Sequence, residues 1–71
     1  MEVSELRVGD VIYIRKRILD HPVIFRCKYE SRGLVIVRAT NLEERDLGKL
    51  GKVRVGELII GTPANCSLEE R

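Results

Sequence analysis

Apolar and charged residues alternate most regularly between positions 23 and 30. The apolar members are Val23, Phe25, Cys27 and Tyr29, and between them stand Ile24, Arg26, Lys28 and Glu30. A period of two predicts a β-strand with one face in the core and one face, mostly charged, in water. This segment is therefore the clearest predicted element of the chain.

The segment before it also predicts a strand, which begins at residue 11 and ends at residue 17 or extends to residue 19, and this strand has two alternative registers. In one register Ile12, Ile14 and Ile18 point inward, Lys16 reaches the rim of the core, and Tyr13 points outward with its charged neighbours. In the other register Tyr13 is buried. We favour the first, because it places three isoleucines in the core. The Asp20-His21-Pro22 triplet predicts the break between the two strands, since proline lacks a backbone donor.

After the second strand, the pattern predicts a hairpin and then a change of period. Gly33 indicates a turn at residues 31–33, followed by a strand over residues 34–39 that is apolar on both faces. Thr40 and Glu43 have the spacing of a capping box, which predicts one or two helical turns ending by Gly48 or Gly51. Short strands are predicted at residues 52–55 and 58–61, and in the first of these the valines are expected to face inward.

Five short strands with one short helical turn predict an all-β fold. In strand count and length the chain resembles a small five-stranded SH3-like or OB-like barrel. The alternative is an α+β fold with a small antiparallel sheet. With 71 residues, the chain has room for one domain. We expect this domain to span residues 1–63, followed by a polar C-terminal tail at residues 64–71.

Composition narrows the class of protein. Charged residues make up 34% of the chain, glutamine and tryptophan are absent, and this balance is typical of heat-adapted proteins. The longest apolar runs are four residues, whereas a membrane-spanning helix needs about 20. The N-terminus has neither the basic nor the apolar region of an export signal. These features predict a cytoplasmic protein that does not enter membranes.

The residues that carry metal or catalytic chemistry are few. The cysteines, Cys27 and Cys66, are 39 positions apart, and His21 is the single histidine. This set lacks the closely spaced pairs of a zinc site and the nucleophile–base pairing of covalent catalysis. We expect Cys27 in the core, Cys66 in the tail, and no metal or other cofactor. The sequence therefore predicts a non-catalytic protein.

Positive charge is concentrated in the middle of the chain. Residues 15–54 contain eleven basic and five acidic residues, a net charge of +6, although the whole chain carries only +2. Basic residues two apart on a strand share a face. The residues expected to form a nucleic-acid-binding face are Tyr13, Arg15, Arg17, Arg26, Lys28, Lys52 and Arg54. Tyr13 would stack on a base, and the others would bind phosphates.

Two functions follow as hypotheses. The first is a module that binds the backbone of DNA or RNA without strong sequence preference. The second is a protein–protein interaction module or a small homodimeric subunit of a larger assembly. The second rests on apolar residues in excess of what one barrel interior holds, among them Ile24 and the run Leu58-Ile59-Ile60.

Overall fold

The computed structural model describes residues 6–69, and within them the chain is built of strands without an α-helix. The seven strands are β1 (Val11–Ile18), β2 (His21–Arg32), β3 (Val37–Asn41), β4 (Arg45–Asp46), β5 (Lys52–Val53), β6 (Leu58–Gly61) and β7 (Cys66–Ser67). Two single-turn 3-10 helices lie at Gly48–Leu50 and Pro63–Asn65. The predicted all-β class is confirmed, and the α+β alternative is wrong for this part of the chain.

The main sheet has five antiparallel strands in the order β6-β3-β2-β1-β7. It curls into a half-barrel. Strands β4 and β5 form a separate two-stranded ribbon, which the chain reaches after β3 and leaves before β6. The architecture is thus a small half-barrel with one added ribbon.

One face of the main sheet forms the core. Ile12 and Ile14 of β1 and Phe25, Cys27 and Tyr29 of β2 are buried, together with inward residues of β3, β6 and β7. The alternation predicted for β2 is confirmed. In β1 the favoured register is also confirmed, because the isoleucines face the core and the residues between them face outward.

The curl of the sheet depends on a glycine near the end of β6. A methyl group added at Gly61 would lie 2.5 Å from Cγ2 of the buried Ile14. Only a residue without a side chain lets β6 approach β1 this closely. Gly61 therefore brings the two ends of the curl together beside the last residues of β1.

Strands β1 and β2 are joined by a two-residue turn at Leu19 and Asp20, whose φ angles are 46° and 65°. Two consecutive positive φ angles are typical of a type I′ hairpin turn. The predicted break at residues 20–22 is wrong, because His21 and Pro22 already belong to β2. Pro22 is tolerated because β3 pairs with β2 only from Cys27 onward, so its missing donor leaves no partner unsatisfied.

The hairpin between β2 and β3 is confirmed, but its turn lies later than predicted. Residues 31 and 32 still belong to β2, and the turn spans residues 33–36, closed by the amide of Gly33 donating to the carbonyl of Ile36 at 2.9 Å. Leu34 and Val35 are 98% and 72% exposed, so the strand predicted from residue 34 begins only at Val37. Apolar character alone extended the predicted strand too far.

The capping box is also wrong. Thr40 lies in β3, where its hydroxyl donates to Oε1 of Glu30 at 2.9 Å, and the region of the predicted helical turns contains β4 and only one 3-10 turn. Strand β5 ends at Val53, and Val55, expected inside, is 63% exposed. Short-range spacing misled the prediction here, because long-range hydrogen bonds determine this part of the fold.

The chain after Pro63 returns to the sheet. Cys66 and Ser67 form β7, which pairs with β1, and Cys66 is buried in the core. The tail predicted from residue 64, with Cys66 in it, is therefore wrong for these two residues. A short strand added at the edge of β1 pairs with backbone groups that β1 would otherwise leave without a partner strand.

Candidate nucleic-acid interface

Five of the seven residues predicted to bind nucleic acid lie on the outer side of β1 and β2. This hairpin face is defined by Tyr13, Arg15, Arg17, Arg26 and Lys28. Each alternates with a core residue of its strand, and the four basic residues are exposed while Tyr13 is half-buried. The alternation that buries Ile12, Ile14 and Phe25 therefore also brings these five residues to one surface.

Tyr13 and Arg26 are direct partners across β1 and β2. The carbonyl of Arg26 accepts from the amide of Leu42 on the other side of β2, so the backbone of Arg26 points away from Tyr13. Such non-hydrogen-bonded pairs have Cα atoms only about 4.5 Å apart, and their side chains are close. The register therefore sets Arg26 and Tyr13 next to each other at the centre of the hairpin face.

Two of the basic residues on this face have carboxylate neighbours. Nε of Arg17 lies 3.8 Å from Asp20, and Nζ of Lys28 lies 3.7 Å from Glu30. Both pairs are largely open to water, with side chains between 36% and 98% exposed, so each attraction is weak. Within residues 6–69, no carboxylate lies within 4.0 Å of Arg15 or Arg26. The face keeps a positive charge.

The remaining two predicted residues do not join the hairpin face. Lys52 lies in β5 and Arg54 follows it, so both belong to the ribbon. Nζ of Lys52 is 3.7 Å from Glu44, on the segment that leads into β4. The sequence pattern predicted that the side chains of Lys52 and Arg54 point in the same direction from one strand. It did not predict which sheet that strand would join.

Three further basic residues show what sequence patterns could and could not find. Lys16 lies on the inward row of β1 yet is exposed, as the favoured register predicted when it placed this residue at the rim of the core. Arg38 is exposed on the outer side of β3. Arg45 instead supports the fold, because its guanidinium donates to the carbonyl of Ile24 at 2.8 Å. Nothing in the sequence distinguishes Arg45 from the basic residues that face water.

Other chemistry has little support in the described part of the chain. No group of three histidine, cysteine or acidic residues within it could hold a metal ion. Burial, and then the neighbouring Cys66 thiol, raise the pKa of Cys27 to about 11, and burial raises the pKa of Cys66. Both thiols are free and are poor nucleophiles in this state. None of the described helices is long and apolar enough to cross a membrane.

Compared with known proteins, the chain matches no family model, no curated protein and no solved structure significantly. The candidate site therefore rests on the positions of these residues in the fold. The curled sheet presents four cations and one tyrosine on the outer side of its longest hairpin.

Proposed function

We propose that this protein is a non-catalytic module that binds the phosphate backbone of DNA or RNA through the hairpin face, without strong sequence preference. The observation that carries the proposal is the cross-strand register that sets Tyr13 beside Arg26, with Arg15, Arg17 and Lys28 on the same surface. One partly exposed aromatic residue among several cations is the combination that strand surfaces use to bind nucleic acid.

The physical basis is the release of counterions. Each phosphate that a basic side chain neutralises frees a condensed cation, so the binding constant falls as salt rises. If the four cations of the hairpin face each bind one phosphate, affinity falls roughly a hundredfold between about 50 and 200 mM salt. A base stacked on Tyr13 adds about 1–3 kcal/mol, and this contribution has little sequence preference. A cytoplasmic location, expected from the sequence, gives access to either nucleic acid.

The test is a fluorescence anisotropy titration of labelled single-stranded DNA and RNA at these two salt concentrations. Arg26→Glu is the variant of choice, because Arg26 has no carboxylate within 4.0 Å among the described residues and lies at the centre of the face. We expect it to weaken binding at least tenfold. The matched control is Lys49→Glu, which makes the same change of charge in the exposed 3-10 helix at Gly48–Leu50.

Two outcomes contradict the proposal. One is the absence of binding at the lower salt concentration. The other is an equal loss of affinity in Arg26→Glu and Lys49→Glu, which would mean that the nucleic acid responds to net charge and not to the hairpin face. Circular dichroism of each variant confirms that the fold is retained, since both residues are exposed.

A second candidate function, self-association, is favoured by the position of β6. Among the described residues β6 pairs only with β3, and it ends the sheet with Leu58 and Ile60 exposed, at 58% and 41%. Exposed apolar edge strands pair readily with other chains. Sedimentation at increasing concentration tests this: a dimer that dissociates in Ile60→Lys supports it, and a monomer at all concentrations excludes it.

A further inference from the structure

A cleft at the end of β1 is lined by basic residues on both sides of the sheet. It consists of two adjoining hollows of about 240 and 170 Å³, and four residues line both of them: Arg15, Lys16, Arg17 and Asn65. The larger hollow is also lined by Ile36, Ile60, Gly61 and Thr62, and the smaller one by Pro22. We call this region the β1-end cleft.

Three consecutive basic residues line one cleft because the fully buried part of the inner row ends at Ile14, before the strand does. Along a strand, neighbouring side chains point to opposite faces, so Arg15 and Arg17 lie on the outer side and Lys16 on the inner side. Lys16 follows the buried Ile12 and Ile14 on the inner row, yet it is exposed. At this rim, basic residues from both faces of the strand therefore line the same space.

The polar lining groups favour an anion. No carboxylate lines either hollow. Asp20 lies 3.8 Å from Nε of Arg17, but its side chain is 98% exposed, so water screens its charge. The Asn65 amide and the Thr62 hydroxyl supply neutral hydrogen-bond donors beside the three cations. This donor set suits a tetrahedral anion with several acceptor oxygens.

The size of the cleft indicates how much of a ligand enters it. Pockets that enclose whole small molecules start at roughly 300 Å³, and each hollow is smaller. A phosphate group fits into either hollow, and the sugar and base of a nucleotide would lie outside that hollow. Arg15 and Arg17 also belong to the hairpin face, so a strand that crosses this face arrives at the cleft.

We propose that the β1-end cleft binds one phosphate group of the nucleic acid and so fixes the position of the strand on the hairpin face. This inference rests on the proposed function for the identity of its ligand, but the binding of a phosphate group is tested separately. Lys16, Asn65 and Thr62 are the residues it adds to the interface.

The direct test uses inorganic phosphate as the probe. In ¹⁵N-resolved NMR spectra, phosphate should shift the backbone amide signals of Thr62, Ala64 and Asn65 and the side-chain amide of Asn65 in a saturable way. Lys16→Gln should weaken this binding at least fivefold, while Lys49→Gln, an equal change in an exposed lysine outside the cleft, leaves it unchanged. Shifts centred elsewhere, or an equal effect of the two variants, would overturn the proposal.

Oligonucleotide titrations separate this inference from the proposed function. If both hold, Lys16→Gln lowers the dependence of log affinity on log salt by about 1, the amount expected for one lost phosphate contact. If phosphate binds the cleft and oligonucleotides do not bind at all, the cleft stands and the proposed function fails. If oligonucleotides bind in an Arg26-dependent way and Lys16→Gln changes nothing, the cleft proposal fails alone.

Discussion

The β1–β2 hairpin and the β4–β5 ribbon are held in place by different interactions. The hairpin has eight consecutive cross-strand pairs, and a regular alternation of core and surface residues runs through it. The ribbon has two pairs and no fully buried residue. Its partly buried Leu47 and Val53 pack on the core, but its position is set by a few polar side chains.

Asn41 is the main one of these side chains. It is completely buried at the end of β3, and its amide nitrogen donates to the carbonyls of Arg54, at 2.9 Å, and Val53, at 3.4 Å. Its side-chain oxygen accepts from the amide of Glu43 at 3.3 Å. Arg45 adds the bond to Ile24 in β2. A repeated alternation of core and surface residues therefore positions the β1–β2 hairpin, whereas single polar side chains position the β4–β5 ribbon.

The largest effect is expected from Asn41→Ala, which breaks the ribbon's attachment. The substitution leaves two carbonyls and one amide without the partner they have in the native state. Each buried polar group without a partner costs about 1–3 kcal/mol. We expect a total loss of about 3 kcal/mol, because water reaches some of these groups once the ribbon moves away from β3. Urea denaturation followed by circular dichroism measures the loss of unfolding free energy.

Asn65→Ala is the matched control, because Asn65 is exposed and donates its backbone amide, not its side chain, to Thr62. We expect it to change the unfolding free energy by less than about 0.5 kcal/mol. If the two alanine variants were equally stable, the ribbon would be held by its apolar contacts, and the contrast between the two regions would be lost.

The next largest effect concerns the main sheet. Gly61→Ala places a methyl group against Cγ2 of Ile14, and overpacking of this kind costs about 1–3 kcal/mol. The β-branched Ile14 is buried and cannot turn away freely. A double-mutant cycle with Ile14→Ala checks the cause, since removing Cγ2 should abolish most of the cost of Gly61→Ala. A cost that persists in that background would point to backbone strain.

The same contrast explains what the sequence predicted. The alternation in β2 and the isoleucines of β1 predicted which face of the sheet is buried. Because side chains alternate between the two faces of a strand, the same pattern predicted that Tyr13, Arg15 and Arg26 lie on the outer face. The attachment of Lys52 and Arg54 to a separate ribbon was not predictable. It depends on Asn41 meeting carbonyls 12 and 13 positions further along the chain, and no local pattern records such a contact.

The buried thiols offer a third way to examine the hairpin side of the molecule. Burial and the adjacent Cys66 raise the pKa of Cys27 from 9.0 to about 11. At pH 8 this lowers the thiolate fraction on the order of 100-fold, so a thiol reagent should modify native protein far more slowly than unfolded protein. Equal rates in the two states would show that this part of the core opens freely.

The sign of the pH dependence follows from the same shift. A pKa that is higher in the folded state favours the protonated, folded form. The contribution of Cys27 to stability is therefore complete below about pH 9 and is lost as the pH rises towards 11. Cys27→Ala should lose less stability than the wild type over this interval. A parallel decline of the two proteins would assign the loss to other groups.

The smallest effect is a gain in stability at the turn of the hairpin. Leu19 has a φ of 46°, a conformation that costs an ordinary residue about 1–2 kcal/mol and that asparagine adopts more easily. Because Leu19 is 70% exposed, Leu19→Asn sacrifices little burial and should raise the unfolding free energy by about 0.5–1 kcal/mol, measured by urea denaturation. Leu19→Ala should bring no such gain, because the alanine methyl group cannot form the local hydrogen bonds by which asparagine tolerates this conformation. The hairpin tolerates an unsuitable turn residue because eight cross-strand pairs already fix its register.

The opposite outcome would be a loss of stability in Leu19→Asn. In that case the place of Leu19 in the lining of the hollow that it shares with Val23 and Leu50 would matter more than the turn. The hairpin would then depend on single residues just as the ribbon does.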